Sequence, residues 1–300
     1  MRSNKDELKI EILKTLDLIR ENSTFQQQNR NVFSDGKRYA SLYSFATEDL
    51  RGYYKEFGKP KTFLTVGASG DQILNAVAIG AEKIDVFDLN KLSKRQCAQK
   101  VAAAKVLEPE ILYEYFNSFS QNVYNDFRDK PLEKDRRYFD SLYDFYDEEC
   151  FNYLYPYYRV SKEMFYKINN YTDKDRYNEF QQKLESVEIN YIDCDLYSLP
   201  SYLGDNTYDA MNFSNIYEYL NYGKDVCREK ALKFYNFLMQ QMCPRLNEDG
   251  KIMISYLYAF NNEVERYLKR EMTEENIESL YQDGITFDQY QLYQKCFYHI

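Results

Sequence analysis

The sequence predicts a Rossmann-like α/β fold with an N-terminal helical arm and a helical insertion after the second strand. Three observations predict it. Residues 61–88 read strand, glycine turn, helix, strand; strand pattern is then absent until about Val187; and four further strand-like segments follow. A strand, a helix and a second strand in under thirty residues form one βαβ unit.

The first element is a helix from Asp6 to Ile19, where Leu8, Ile12, Leu13, Leu16 and Ile19 recur at helical spacing. Residues 21–37 are polar and read as loop. A second helix is expected near Thr47, because Glu48 and Asp49 place acids in a first turn, where the helix dipole favours them. Lys61 to Val66, bracketed by Gly58, Pro60 and Gly67, is the clearest strand. Asp71 to Ala81 is a helix with Ile73, Leu74, Val77 and Ala78 on one face, and Lys83 to Phe87 is a second strand closed by Asp88.

An alanine-rich helix runs from about Lys91 to Leu107, and Pro109 ends or restarts it. From there to about Ser186 the chain is helical, charged and aromatic, with twelve tyrosines between Tyr113 and Tyr171. Strands return at 187–192, 208–213, 251–256 and 286–294, with a helix over 224–241. The expected organisation is a helical arm over residues 1–58 and an α/β domain over 59–300, interrupted by a helical insertion at about 109–186.

Composition excludes several function classes. Ten glycines in 300 residues is about half the usual frequency of roughly 7%, and three of them, Gly67, Gly70 and Gly80, fall within the βαβ unit. The lone histidine, His299, is the penultimate residue, where chains commonly fray. Histidine-based catalysis and histidine-ligated zinc are therefore not expected, and no metal is. The six cysteines show no metal-binding or redox spacing and, with no secretory h-region at the start, read as reduced, mostly buried thiols of a cytoplasmic protein.

A net charge of −9 argues against nucleic acid as the main partner. The basic residues Lys91, Lys94, Arg95 and Lys100 read as a solvated helix face. No apolar run approaches the roughly 20 residues of a membrane span, so membrane contact would be peripheral.

Chemistry is expected at Gly67, Ala68, Ser69 and Gly70, small residues that let a nucleotide-like ligand approach the backbone and the following helix. Asp88, with Asn90 two residues on, ends the second strand where an acid can accept ribose hydroxyls. Asp71 discriminates between cofactors: its carboxylate would oppose a dinucleotide pyrophosphate but could face the ammonium and sulfonium of S-adenosylmethionine. The alternative is a glycine turn with an ordinary N-terminal acid.

Asp193 and Asp195 end the third predicted strand, the edge that meets the adenine in a nucleoside-binding βα domain. Asp195 is favoured as acceptor for the adenine amine because its D-x-x-x-L-P run resembles one found at this point in S-adenosylmethionine enzymes. Either acid could instead cap the following turn. Ser214 and Asn215 end the fourth strand, where such sheets bind ligands, or cap the next helix. Glu218, or the hydroxyl of Tyr217, is the candidate base. In the insertion, Tyr153, Tyr155, Tyr157 and Tyr158 beside Phe151 and Phe165 either line an acceptor cleft or pack a helical cap.

The runs YSFATED (43–49), FLTVGASGDQILNA, IDVFDLN and FSNIYEYL resemble the S-adenosylmethionine-dependent family that contains the diacylglycerol 3-amino-3-carboxypropyltransferase of betaine-lipid synthesis. The resemblance implies a class I S-adenosylmethionine fold, with Gly67, Ser69, Gly70, Asp71 and Asp88 at matching positions. It implies transfer of an aminocarboxypropyl group to a small-molecule or lipid acceptor. Methyl transfer and non-catalytic binding of S-adenosylmethionine are the alternatives, with a nicotinamide oxidoreductase behind them; the oligomeric state is left open.

Overall fold

In the computed structural model, residues 4–24, 38–145, 148, 150–155, 160–216, 233–234, 236–255 and 290–294 are described. The chain divides into two compact units that alternate along the sequence. The first comprises Met1–Arg51, Gly67–Ala78 and Asp88–Val187, and the second Gly52–Val66, Ile79–Phe87 and Glu188–Ile300.

The second unit holds the sheet. Its strands are β1 (Thr62–Val66), β2 (Lys83–Asp88, whose last residue belongs to the first unit), β3 (Glu188–Asp193), β4 (Tyr208–Asn212), β5 (Leu246–Ser255) and β6 (Tyr290–Gln294). They lie in the order β3-β2-β1-β4-β5-β6. β1 pairs in parallel with both β2 and β4, β4 pairs in parallel with β5, and β6 is antiparallel to β5. The order reverses between β1 and β4, which is the topological switch point of a Rossmann-like sheet. Consecutive residues Phe63, Leu64 and Thr65 are all fully buried, as are Ala210, Met211 and Asn212, the signature of strands covered on both faces.

β1 and β4 are pinned at their starts by Asp209, whose Oδ2 accepts from the amides of Lys61 and Thr62 at 2.7 and 2.9 Å. Asn247 Nδ2 donates to its Oδ1 at 2.7 Å. Burial pushes the Asp209 carboxyl up, but the Asn247, Thr62 and Lys61 donors pull it further down, so it sits below the ordinary 3.8. Because the folded value is depressed, this stabilisation is present above the ordinary value and is lost as pH falls below it. Asp209→Asn is therefore expected to flatten the loss of stability on acidification below about pH 4. Urea titrations at pH 7 and pH 3 check it, and a stability gap between the two pH values as large as that of the wild type would contradict the assignment.

The first unit is helical. It contains α1 (Asn4–Thr24), α2 (Leu50–Tyr54, shared with the second unit), α3 (Asp71–Ile79, whose last residue passes to the second unit) and α4 (Lys91–Ala104). Among the described residues, six helices follow α4 before β3: α5 (Pro109–Ser118), α6 (Gln121–Phe127), α7 (Glu133–Phe145), α8 (Cys150–Leu154), α9 (Lys162–Ile168) and α10 (Tyr177–Ser186). α1 packs on α4, α7 and α8 through the buried Leu16 and Ile19, while Leu13, also at helical spacing, is half exposed.

The insertion's aromatic residues form its core. Phe119 stacks on Phe151 and Tyr155 with ring centroids 4.9 and 4.4 Å apart, and Tyr124 stacks on Tyr143 at 4.8 Å. Tyr115, Tyr124, Tyr138, Phe151 and Phe165 are buried, so these rings pack a helical body and do not line an open cleft. Tyr157 and Tyr158 lie outside the described residues, as does His299.

Two expectations are corrected. Arg95 and Lys100 do not lie on a solvated helix face: Arg95 is 7% exposed and Lys100 fully buried. Arg95 pairs with Glu11 of α1 and Asp135 of α7, and Lys100 pairs with Asp71 at 2.9 Å. Charges this buried occur only where opposite charges meet them, and their partners come from distant helices. The second helix starts at Leu50, three residues beyond Thr47, and the residues before it are held from outside, the Ala46 amide donating to the Asp71 carboxylate.

Candidate functional site

β1 runs directly into the turn Gly67–Gly70, which belongs to the first unit together with α3, Asp88 and α4. A Cβ on Gly67 would lie 2.6 Å from Ser93 Oγ and 3.1 Å from Asp88 Oδ2, closer than a side chain tolerates. With glycine here the backbone comes this near the acid that ends β2 without displacing Ser93 or Asp88. Ala68 adopts φ +42°, a left-handed conformation that is strained for a residue with a Cβ and gathers at functional turns.

Asp88 organises the turn. Its Oδ2 accepts from the Ala68 amide at 3.0 Å and its Oδ1 from the Asn90 amide at 2.8 Å. Asp88 is half-buried. The Gly67 carbonyl accepts from the Gly70 amide at 2.8 Å and from the Cys97 thiol at 3.4 Å. Burial, followed by the charge of Asp88, pushes that thiol up to about 12. Cys97 is therefore a donor that braces the turn and not a nucleophile.

Asp71 does not present its carboxylate to a ligand, contrary to expectation. It is fully buried, and four groups surround it. Lys100 Nζ and the Tyr171 hydroxyl donate to Oδ1 at 2.9 and 2.8 Å. The Ala46 amide and Ser69 Oγ donate to Oδ2 at 2.6 and 3.1 Å. The sequence signal was sound as far as it went, since an acid belongs in the first turn of α3; Lys100, 29 residues away, decides which way it points. Ser69 is likewise buried and turned inward.

Asn90 is also committed to the protein. Its Oδ1 caps α4 by accepting from Leu92 N at 3.2 Å, and accepts from the Ala40 amide at 3.2 Å, while Nδ2 donates to the Ala40 carbonyl at 3.0 Å. Gln96, absent from the expected site, donates through Nε2 to the carbonyls of Tyr43 and Ser69. Its Oε1 is buried without a hydrogen-bond partner. A glutamine mid-helix carries no signal in sequence that would have revealed either contact.

The remaining candidates belong to the second unit. Asp195 caps a 3₁₀ turn: Oδ1 accepts from the amides of Tyr197 and Ser198 at 3.0 and 3.1 Å, and Oδ2 from the Ser198 hydroxyl at 2.6 Å. The Ser198 hydroxyl above all, with these amides, outweighs partial burial and holds its carboxyl below the ordinary range. The capping reading is thus what the structure shows for Asp195. Asp193 is half-buried at the end of β3. Ser214 is buried with φ +50°, and its amide donates to Asn212 Oδ1 at 2.8 Å. Its hydroxyl donates to Asn215 Oδ1 at 3.3 Å. Tyr217 and Glu218 lie outside the described residues.

Among the described residues no acids, cysteines or histidines gather as a metal site, and no helix is long and apolar enough to cross a membrane. No protein-family model matches the chain, and no curated protein matches it. Among solved structures, the chain is similar to the rRNA methyltransferase AviRa from Streptomyces viridochromogenes. In one structure of that protein the match covers 91% of this chain and 95% of the other, at 9% identity and a TM-score of 0.44. In a second it covers 76% and 82%, at 10% identity and a TM-score of 0.36. A protein from Streptococcus mutans assigned as a SAM-dependent methyltransferase matches over 76% of this chain and 41% of its own, at 12% identity and a TM-score of 0.34. The fold assignment rests on the strand order and not on these likenesses.

Proposed function

We propose that the chain is an S-adenosylmethionine-dependent transferase whose cofactor contacts the turn Gly67–Gly70 and Asp88. The observation that carries this reading is the state of the amides around the N-terminus of α3. A pyrophosphate needs backbone N–H groups pointing at it. Here the amides of Ala68, Gly70 and Asp71 donate to Asp88 Oδ2, the Gly67 carbonyl and Ser69 Oγ. With these three amides engaged, the turn offers a pyrophosphate fewer N–H donors, which favours a nucleoside without phosphates. The charge of Asp71 is neutralised by Lys100 and does not discriminate between the cofactors.

The chain's own residues bind and orient. The half-buried Asp88 carboxylate faces the glycine backbone at the end of β1, placed to accept ribose hydroxyls while it holds the turn. A sulfonium cofactor would bring three electrophilic carbons already activated, so the protein's contribution is alignment and exclusion of water. The resemblance of residues 43–49 and 63–90 puts aminocarboxypropyl transfer ahead of methyl transfer, to a small-molecule or lipid acceptor.

Calorimetry with S-adenosylmethionine, S-adenosylhomocysteine and NAD tests the cofactor. Binding of the first two and not the third is expected, and tight NAD binding without S-adenosylmethionine binding overturns the reading. Incubation with a cell extract then separates the reactions by mass. Methylthioadenosine marks aminocarboxypropyl transfer, S-adenosylhomocysteine marks methyl transfer, and release of neither points to a binding role.

A further inference from the structure

We infer that Lys100 is the positioning residue of the ligand turn, fixing the non-helical segment Arg38–Ala46 and the start of α3 in one geometry. The inference rests on the reading of that turn as the S-adenosylmethionine site. All of its residues belong to the first unit.

The segment runs beside α4 in the same direction and is fastened to it at intervals. Lys91 N donates to the Arg38 carbonyl at 2.9 Å, and Asn90 bonds both backbone groups of Ala40. Gln96 Nε2 holds the Tyr43 carbonyl, and Lys100 Nζ donates to the Ser44 carbonyl at 2.5 Å. The last fastening, from Ala46 N, goes to Asp71 itself at 2.6 Å. Lys100 is the side chain that touches both the segment and the turn's acid, since it also donates to Asp71 Oδ1.

The geometry around the ammonium is directional. Two of its three N–H groups go to Ser44 O and Asp71 Oδ1, and the rings of Phe45 and Phe116 lie 4.9 and 4.8 Å away, at cation–π distance. Burial holds the amine below its ordinary value even with Asp71 alongside. A buried ion pair is often no more stabilising than well-packed neutral residues of the same size. Its selective contribution here is register: the ammonium accepts only one placement of segment 44–46 relative to Gly70 and Asp71, and therefore of the turn's backbone relative to Asp88.

The test is a neutral replacement of the pair, Asp71→Asn with Lys100→Met, in the full chain. The asparagine Oδ1 can still accept from neighbouring donors, so cooperative thermal unfolding is expected to persist. Hydrogen exchange of the Ala46 amide should become at least tenfold faster, and S-adenosylmethionine affinity at least tenfold weaker. Unchanged exchange in the folded double variant overturns the inference whatever happens to binding. Faster exchange with unchanged affinity also overturns it, because the segment would then be loosened without consequence for the ligand. If the wild-type chain binds no S-adenosylmethionine, the cofactor reading fails, and the exchange measurement still decides whether Lys100 fixes the segment. Should the double variant not fold, Lys100→Arg, which keeps a cation beside Asp71 but moves its donors, is measured in its place with the same expected changes.

Discussion

Replacing Lys100 alone by methionine is expected to cost about 3–5 kcal/mol of stability, because Asp71 is left buried without its cation. Both side chains are fully buried in the native pair, so water cannot take over the role of the ammonium without opening the structure. A loss of that size is a large fraction of the about 5–15 kcal/mol that holds a typical domain together. Urea unfolding at pH 7 measures it, beside the double replacement with Asp71→Asn, which should recover most of the loss. A shift below about 1 kcal/mol for the single replacement would mean that Tyr171, Ala46 and Ser69 satisfy the carboxylate by themselves.

The second large effect is expected at the turn. Gly67→Val places a Cβ where Ser93 Oγ and Asp88 Oδ2 stand at 2.6 and 3.1 Å. Ser93 Oγ donates to the Ala68 carbonyl at 3.3 Å, and Asp88 holds the Ala68 amide, so neither can move without releasing the turn. S-adenosylmethionine binding should weaken by more than tenfold, which corresponds to more than about 1.4 kcal/mol. Asp88→Ala should weaken it by a similar factor, through loss of both amide contacts and, on the proposed reading, of the acceptor for the ribose hydroxyls. Unchanged affinity in the two variants, with the fold intact by circular dichroism, would place the ligand elsewhere.

The βαβ unit was legible because every signal in it is local. Gly58 and Pro60 bracket β1, β1 and β2 fall within a residue of their expected bounds, and Asp88 closes β2. β3 and β4 were equally readable. β5 begins at Leu246, five residues before the expected start, since its pairing with β4 shifts register between Tyr208 and Ala210. An irregularity of that kind depends on the partner strand and leaves no periodicity to read.

The turn after β1 is legible in the sequence, whereas the placement of the charges beside it is not. Gly67, Ala68, Gly70 and Asp88 stand together at the end of β1, as their spacing implied. Asp71 and Lys100, by contrast, carry the residue types of a ligand-facing acid and a solvated base, and both are interior. Asp195 satisfies the D-x-x-x-L-P spacing and is used as a cap, because its side chain lies within reach of the amides two and three residues on.

Strand periodicity, glycine turns and the position of acids at strand and helix ends follow from backbone geometry over a few neighbouring residues, and for that reason composition and spacing were enough to establish a Rossmann-like chain with a helical insertion. The direction in which a charge points depends on a partner brought close by folding: Asp71 by Lys100, and Arg95 by Glu11 and Asp135, 84 and 40 residues away. Burial of a charge is tolerable only when such a partner is present, and no local pattern records where the partner will be.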